Sequence, residues 1–359
     1  MKTLKTAERP APAHAPPTLR ASGATRAIEV LGDAWVLRLL RTAFRGARRF
    51  GDFLAELDVS RAVLSERLER MVADHLLEKT ALPGGRAEYR LTECGLDLWS
   101  LLLAMWSWER DWGTGRHAPV HPQDRPRPRL VHHGCGHETL PVCACAHCDA
   151  PVTPFDTAAV PGPGAARGAG ALDPPGAQTL GAPGTATGSP LADVADAPAL
   201  PALPALPALP AGLPRKRFRQ SHSAARNALP ALMRVFGDRW NASVVAAALQ
   251  GARTFTEFER ALAIGPLQLS DRLLELQALG MLRARAYAGS RQEYRLTRAA
   301  IATFPITLEL IRWGDRWLWD GHGPLAVQHR PCGQVLGLRW RCSHCAAPLG
   351  RTSLSFEGA

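Results

Sequence analysis

Long apolar runs are missing from this chain. No stretch approaches the roughly 18 apolar residues that a membrane span requires. The start, MKTLKTAERPAPAHAPP, lacks the apolar core of a secretory leader, so a cytoplasmic protein is expected. No Walker loop, nucleophile elbow or dinucleotide fingerprint occurs, which leaves the common nucleotide-dependent and hydrolytic chemistries without a motif. Acidic residues are in deficit, 32 against 43 Lys+Arg, and the net charge of +11 suits a polyanionic partner. Cysteine is sparse, 8 in 359 residues, yet Cys135, Cys143, Cys145 and Cys148 crowd one short segment. In a reducing compartment such clustering points to metal before disulfide.

What is present is a duplication. LGDAWVLRLL at 31–40 returns as FGDRWNASVV at 236–245, RGARRFGDF at 45–53 as QGARTFTEF at 250–258, and EYRLT at 88–92 again at 293–297. All three pairs lie 205 positions apart (236 − 31). A second shared pattern, H-x2-C-x9-C-x2-C, is filled by His132, Cys135, Cys145 and Cys148, then by His329, Cys332, Cys342 and Cys345, 197 positions later (329 − 132). The chain is therefore two copies of one module of roughly 130 residues. Residues 154–213 are Ala/Pro/Gly-rich and carry only Asp156, Arg167, Asp173, Asp193 and Asp196 as charges. They read as a linker, ending in the proline-every-third-residue period of polyproline II; a docking site for a proline-reading partner is the functional alternative. Residues 1–20 are expected to be disordered.

Periodicity orders each module. In copy one, Ile28, Leu31, Trp35, Leu39 and Ala43 recur at helical spacing, with a break at Gly32 and Asp33. RRFGDFLAELD makes a short helix. Ser60 can cap the next, whose apolar stripe is Leu64, Leu68 and Met71, with His75 flanking it. LLEKTAL and RAEYRLT read as two strands around Pro83, Gly84 and Gly85, and ECGLDLWSLLLAMWSWERDW as a last helix. Four helices, a hairpin and a helix are the order of a helix-turn-helix with a β wing.

GDAWVLRLLRTAFRGARRFGDF, VLSERLERM and AEYRLTECGLDLW resemble the HxlR family of winged helix-turn-helix regulators, over about 21–113 and again over about 226–318. Copy two keeps Gly237, Trp240, Phe255, Leu269 to Leu273 and Glu293 to Thr297, but has Ala300 for the family's glycine. The resemblance implies a DNA-binding transcriptional regulator, dimeric through its terminal helices. Some relatives sense oxidants through a cysteine before the first helix; Ser22 and Asn227 stand in that region, so this chain departs from that pattern.

The expected fold class is thus mainly α with small β wings: winged helices at 21–113 and 214–320, each followed by a zinc-ribbon-like element, at 129–153 and 325–350. The expected partner is double-stranded DNA, read as a homodimer or as an intrachain pseudo-dimer. The expected contacts are Arg45, Arg48, Arg49, Ser60, Arg61, Ser65, Arg67 and Arg86 in copy one, and Arg253, Gln268, Ser270, Arg272 and Arg291 in copy two. Copy two is poorer in arginine, so an alternative makes it a protein-interaction module; another is a metal-responsive scaffold that never touches DNA. The four-point patterns predict two structural zinc ions per chain, one per copy. Cys143 aligns with Trp340 and Cys94 with Ala299, so neither is expected to be a ligand. His137 and Glu138 only faintly echo a zinc deaminase, whose signature needs H-x-E and P-C-x2-C, so no enzyme is expected.

Overall fold

A computed structural model describes residues 22–57, 59–83, 86–112, 129–165, 231–288 and 291–357. The remaining residues lie outside it, among them the expected disordered start, most of the linker and the wing glycines Gly84 and Gly85.

Copy one runs α1 (Gly23–Leu31), α2 (Ala34–Phe44), α3 (Phe50–Glu56), α4 (Arg61–Ala73), β1 (Leu77–Leu82), β2 (Arg86–Leu91), α5 (Glu93–Leu96) and α6 (Trp99–Trp112). Copy two repeats this with α7 (Ala231–Phe236), α8 (Arg239–Leu249), α9 (Phe255–Leu262), α10 (Pro266–Ala278), β7 (Leu282–Ala288), β8 (Arg291–Leu296), α11 (Arg298–Ile301) and α12 (Phe304–Leu318). The two wings are antiparallel hairpins, β1 with β2 and β7 with β8. One expected helix is two. Thr92 accepts the N–H of Gly95 and caps a single turn, α5, before the chain turns through Asp97 and Leu98 into α6. Gly95 is required there, because a Cβ would lie 2.2 Å from the Leu76 carbonyl oxygen.

Each winged helix closes on its own signature residues. Asp33 caps α2 by accepting the Trp35 N–H at 2.8 Å, and Asp238 caps α8 by accepting the Trp240 N–H at 3.0 Å. Tyr89 packs edge-on against Phe53, as Tyr294 does against Phe258. Leu64, Leu68 and Met71 are buried beneath α4, as Leu269, Leu273 and Leu276 are beneath α10. Each such side chain contributes about 1.5–3 kcal/mol by leaving water.

The copies then close on each other. Asp33 and Asp238, 205 positions apart (238 − 33), form a β-bridge, so a pseudo-twofold axis passes between them. Trp108 donates to the carbonyl of Ala299 at 2.7 Å, and its counterpart Trp313 donates to that of Cys94 at 3.0 Å. Such reciprocity marks an isologous interface. α1 crosses α12 with backbones touching: a Cβ on Gly314 would stand 2.0 Å from the oxygen of Gly23. One contiguous core runs through both copies.

Behind the helices lie β3 (Arg129–His132), β4 (His137–Glu138), β5 (Val142–Cys145), β6 (Thr157–Pro161), β9 (Leu325–His329), β10 (Leu338–Arg341) and β11 (Leu354–Glu357). These strands exchange partners between copies. β5 pairs with β10, β6 with β9, and β11 with β3, all antiparallel. Thr157 faces His329 and Leu354 faces His132, the same pairing made twice. Cys143 faces Trp340, its own equivalent, so the pseudo-dyad runs through this sheet too. Two self-contained ribbons are therefore not what forms. The expected linker start is corrected as well: 154–161 is a short 3-10 turn and a paired strand, and a strand follows position 350.

Candidate nucleic-acid interface and metal centres

The recognition helix of copy one, α4, begins at Ser60, whose hydroxyl accepts the Val63 N–H. Arg61, Glu66, Glu69 and Arg70 are exposed on its outer side. The Arg61 guanidinium sits 6.0 Å over the Phe50 ring, and the Ser65 hydroxyl donates to Glu69 at 3.4 Å. Around the helix, Arg45 is exposed and 3.9 Å from Glu56, Arg49 is exposed at the start of α3, and Arg48 is half-buried. The Asp52 carboxylate accepts the N–H groups of Arg48 and Arg49, which hold it below the usual carboxylate range. The Arg48 carbonyl accepts the Tyr89 N–H at 2.7 Å, tying this turn to the wing. Arg86 is exposed where β2 leaves the wing turn.

Three of the expected DNA-binding arginines are ion-paired within the fold. Arg67 bonds Asp33 at 2.6 Å, and Arg272 lies 3.4 Å from Asp238 and 2.9 Å from Glu275. Both are half-buried, so the arginine of the recognition helix fastens it to the N-cap of α2 in copy one and of α8 in copy two. Arg253 is likewise held by Glu293 at 3.3 Å. In copy two, Gln268 and Arg291 are exposed and Ser270 is half-buried. The outer side of α10 carries Leu267, 71% exposed, Leu274, 52% exposed, and Asp271. Residue counting could not separate the salt-bridged arginines from the outward ones, because partners 34 positions apart, such as Arg67 and Asp33, meet only in the fold.

The eight proposed ligands converge on two sites, but in a different grouping. His132 and Cys135 meet Cys342 and Cys345; Cys145 and Cys148 meet His329 and Cys332. Each site thus takes one pair from each copy, and the expected one-ion-per-copy partition is corrected. The strand exchange explains it: β5 and β10 carry each C-x2-C knuckle beside the other copy's histidine strand. A tetrahedral zinc with bonds of about 2.3 Å to sulfur and about 2.0–2.1 Å to nitrogen gives edges of about 3.8 Å for S···S and about 3.6 Å for S···N. Here Cys135–Cys342 and Cys145–Cys332 are 3.9 Å apart, Cys345–His132 Nδ1 is 3.4 Å and Cys148–His329 Nδ1 is 3.3 Å. The donor sets fit zinc in number, type and spacing.

The knuckles follow a local rule. Gly136 and Gly333 adopt φ of 69° and 70° just after the cysteine of H-x2-C, and Asp149 and Ala346 adopt φ of 60° and 57° just after C-x2-C. Such turns aim amide hydrogens at sulfur. Burial raises the Cys342 thiol, yet the Thr139 hydroxyl and the N–H groups of Cys345 and His344 bring it down to about 6. Burial likewise opposes the lowering of Cys145 by the N–H groups of Cys148 and His147. Cys143 lies outside both sites; burial and the nearby Glu309 push it up to about 12. Burial and Asp97 push Cys94 up to about 11.

A winged helix-turn-helix repeated about a pseudo-dyad defines the class of protein. The HxlR-like helix-turn-helix family matches residues 30–117 and 235–321. The chain is 35% identical over 141 residues to the uncharacterized HTH-type transcriptional regulator Rv3095 of Mycobacterium tuberculosis, covering 39% of this chain and 85% of that protein. It is 30% identical over 90 residues to the uncharacterized HTH-type transcriptional regulator YvaP of Bacillus subtilis, covering 24% and 83%. The crystal structure of PA1607 shares 30% identity over 35% of this chain and 85% of that one, with a TM-score of 0.31. This chain belongs to the HxlR-like family and carries its module twice. No helix among the described residues is long and apolar enough to cross a membrane.

Proposed function

We propose that this protein is a cytoplasmic, zinc-containing transcriptional regulator that reads duplex DNA mainly with copy one, while copy two completes the pseudo-dimer. The observation that carries this is the contrast between the two recognition helices. Around α4, Arg61, Arg45, Arg49 and Arg86 point outward beside a capped helix start, where phosphates and base edges are reached. Around α10, the matching surface is Leu267, Asp271 and Leu274, and Arg272 and Arg253 are engaged within the fold. A second reading, that α10 docks a protein, rests on those two exposed leucines. Two zinc ions, each held by four protein ligands, leave no open coordination position, so their role is structural.

Electrophoretic mobility shifts of the full chain on its own promoter region, across several salt concentrations, test the reading. Arg61→Ala and Arg86→Ala weaken binding, and every phosphate left without its arginine lowers the log K–log salt slope by about 0.9. Leu267→Ala and Leu274→Ala leave affinity unchanged. Equal weakening by the two sets of variants would instead favour two equivalent DNA-reading halves.

A further inference from the structure

A cleft of about 390 Å³ opens on the copy-two side, between the strand that follows the first metal knuckle, the end of α8, the wing strand β8 and α12. Its wall includes Leu249, Phe304, Ile311 and Val327. The equivalent place on the copy-one side has larger side chains. Ala246 replaces Arg41, Thr307 replaces Leu102, Ile311 replaces Trp106, and Ala159 replaces Phe356. Trp106 and Phe356 pack edge-on there, ring centroids 5.5 Å apart, and Arg110 lies over Trp106. Four smaller side chains on elements from both copies hollow out one side of the pseudo-twofold molecule.

Two features say what the hollow holds. Thr307 is only 7% exposed and lines the cleft, yet its hydroxyl has no hydrogen-bond partner among the described residues. A buried hydroxyl left unpaired is unfavourable, and a ligand's polar group would offset that cost. The lining also contains Arg253, Arg295 and Arg330 and no Asp or Glu. One carboxylate behind it, Glu293, is shared by Arg253 at 3.3 Å and Arg295 at 3.2 Å. The surroundings are apolar inside and net cationic at the edge.

We propose that this cleft binds a small amphipathic anion, an aromatic or branched-chain carboxylate, with its apolar body against α12 and its carboxylate toward the arginines. The size falls within the range of about 300–1,000 Å³ typical of small-molecule sites. The ligand would bridge both copies, touching β6 from copy one and the winged helix of copy two.

Titration of the zinc-loaded full chain with 2-naphthoate, and with the neutral 2-naphthalenemethanol, tests it. Saturable binding at one site per chain is expected, with the acid about tenfold tighter than the alcohol, as a charge-assisted hydrogen bond allows. Arg330→Ala should narrow that gap. Ile311→Trp combined with Thr307→Leu, which restores copy one's side chains, should abolish binding while zinc content and circular dichroism stay unchanged. If that pair fails to fold, Ala159→Phe fills the cleft from the strand side. Lack of saturation, equal affinity for acid and alcohol, or binding that survives refilling overturns the proposal.

Discussion

Single residues here are governed by burial as much as by identity. Cys94 and Cys143 are the two cysteines outside the metal sites, and burial raises both thiols, to about 11 and about 12. Thiolate is the nucleophile, so neither competes near neutral pH. Iodoacetamide at pH 7.5 should leave Cys94 and Cys143 unmodified in the native chain and label them after denaturation, as mass spectrometry of peptides will read. Rapid native labelling of either would contradict this environment. Asp315 lies under α1, where burial raises its carboxyl to about 7 while the Gly23 N–H pulls the other way. A folded pKa above the unfolded one means that the folded state holds its proton longer. Stability therefore falls as pH rises from about 4 to about 7. Asp315→Asn should be more stable than the parent at pH 8 and equal to it near pH 4 in thermal denaturation; the same difference at both pH values would assign the effect to packing.

Among the elements, the recognition helices show how one signature serves two ends. The arginine of α4 reaches the aspartate that caps α2, and that of α10 the aspartate that caps α8, so Arg67 and Arg272 set the positions of these two recognition helices. Arg67→Ala should therefore lower the melting temperature and weaken DNA binding without changing the salt slope. Arg61→Ala should change the slope without changing the melting temperature. The strands that carry the candidate metal ligands differ from both helices in that no single copy completes a ligand set. His132 needs a knuckle from copy two, and His329 one from copy one.

The whole molecule is an interface within one chain. Reciprocal tryptophan bonds and the paired β5–β10 strands obey twofold symmetry, but one buried network does not. Glu309 is buried and accepts from Ser100, Trp340 and Arg312, each at 2.7 Å, while Arg312 also grips Asp97. The equivalents of Glu309 and Arg312 in copy one are Ala104 and Ser107. Copy one pairing with copy one could not form this network, so it favours unlike halves. The metal sites give the clearest test. Protease cleavage within 166–213 should leave the two halves together, with two zinc ions per pair by elemental analysis. A strong chelator should remove the zinc and weaken their association, and Cys332→Ser should lower the content to about one ion. Halves that each retain one ion after separation under denaturant-free conditions would restore the one-copy, one-ion arrangement.

Much was legible in the residues alone because it is local or repeated. The 205-position identity of GDAW-like, ARxF and EYRLT segments, the capped helices and the hairpin wings depend on neighbours a few positions away. The eight candidate ligands were legible for the same reason, since H-x2-C and C-x2-C each present half a tetrahedron on one turn. Which half meets which was not, because a duplicated chain offers two chemically identical pairings and spacing cannot choose between them. Strand exchange across the pseudo-dyad made that choice. Folding within each copy decided which arginines face outward, and closure of the copies decided where Glu309 finds partners 31 and 209 positions away and where four small side chains from distant segments leave room for a ligand. Such outcomes belong to tertiary structure because they depend on surfaces brought together only when both copies have folded and closed on each other.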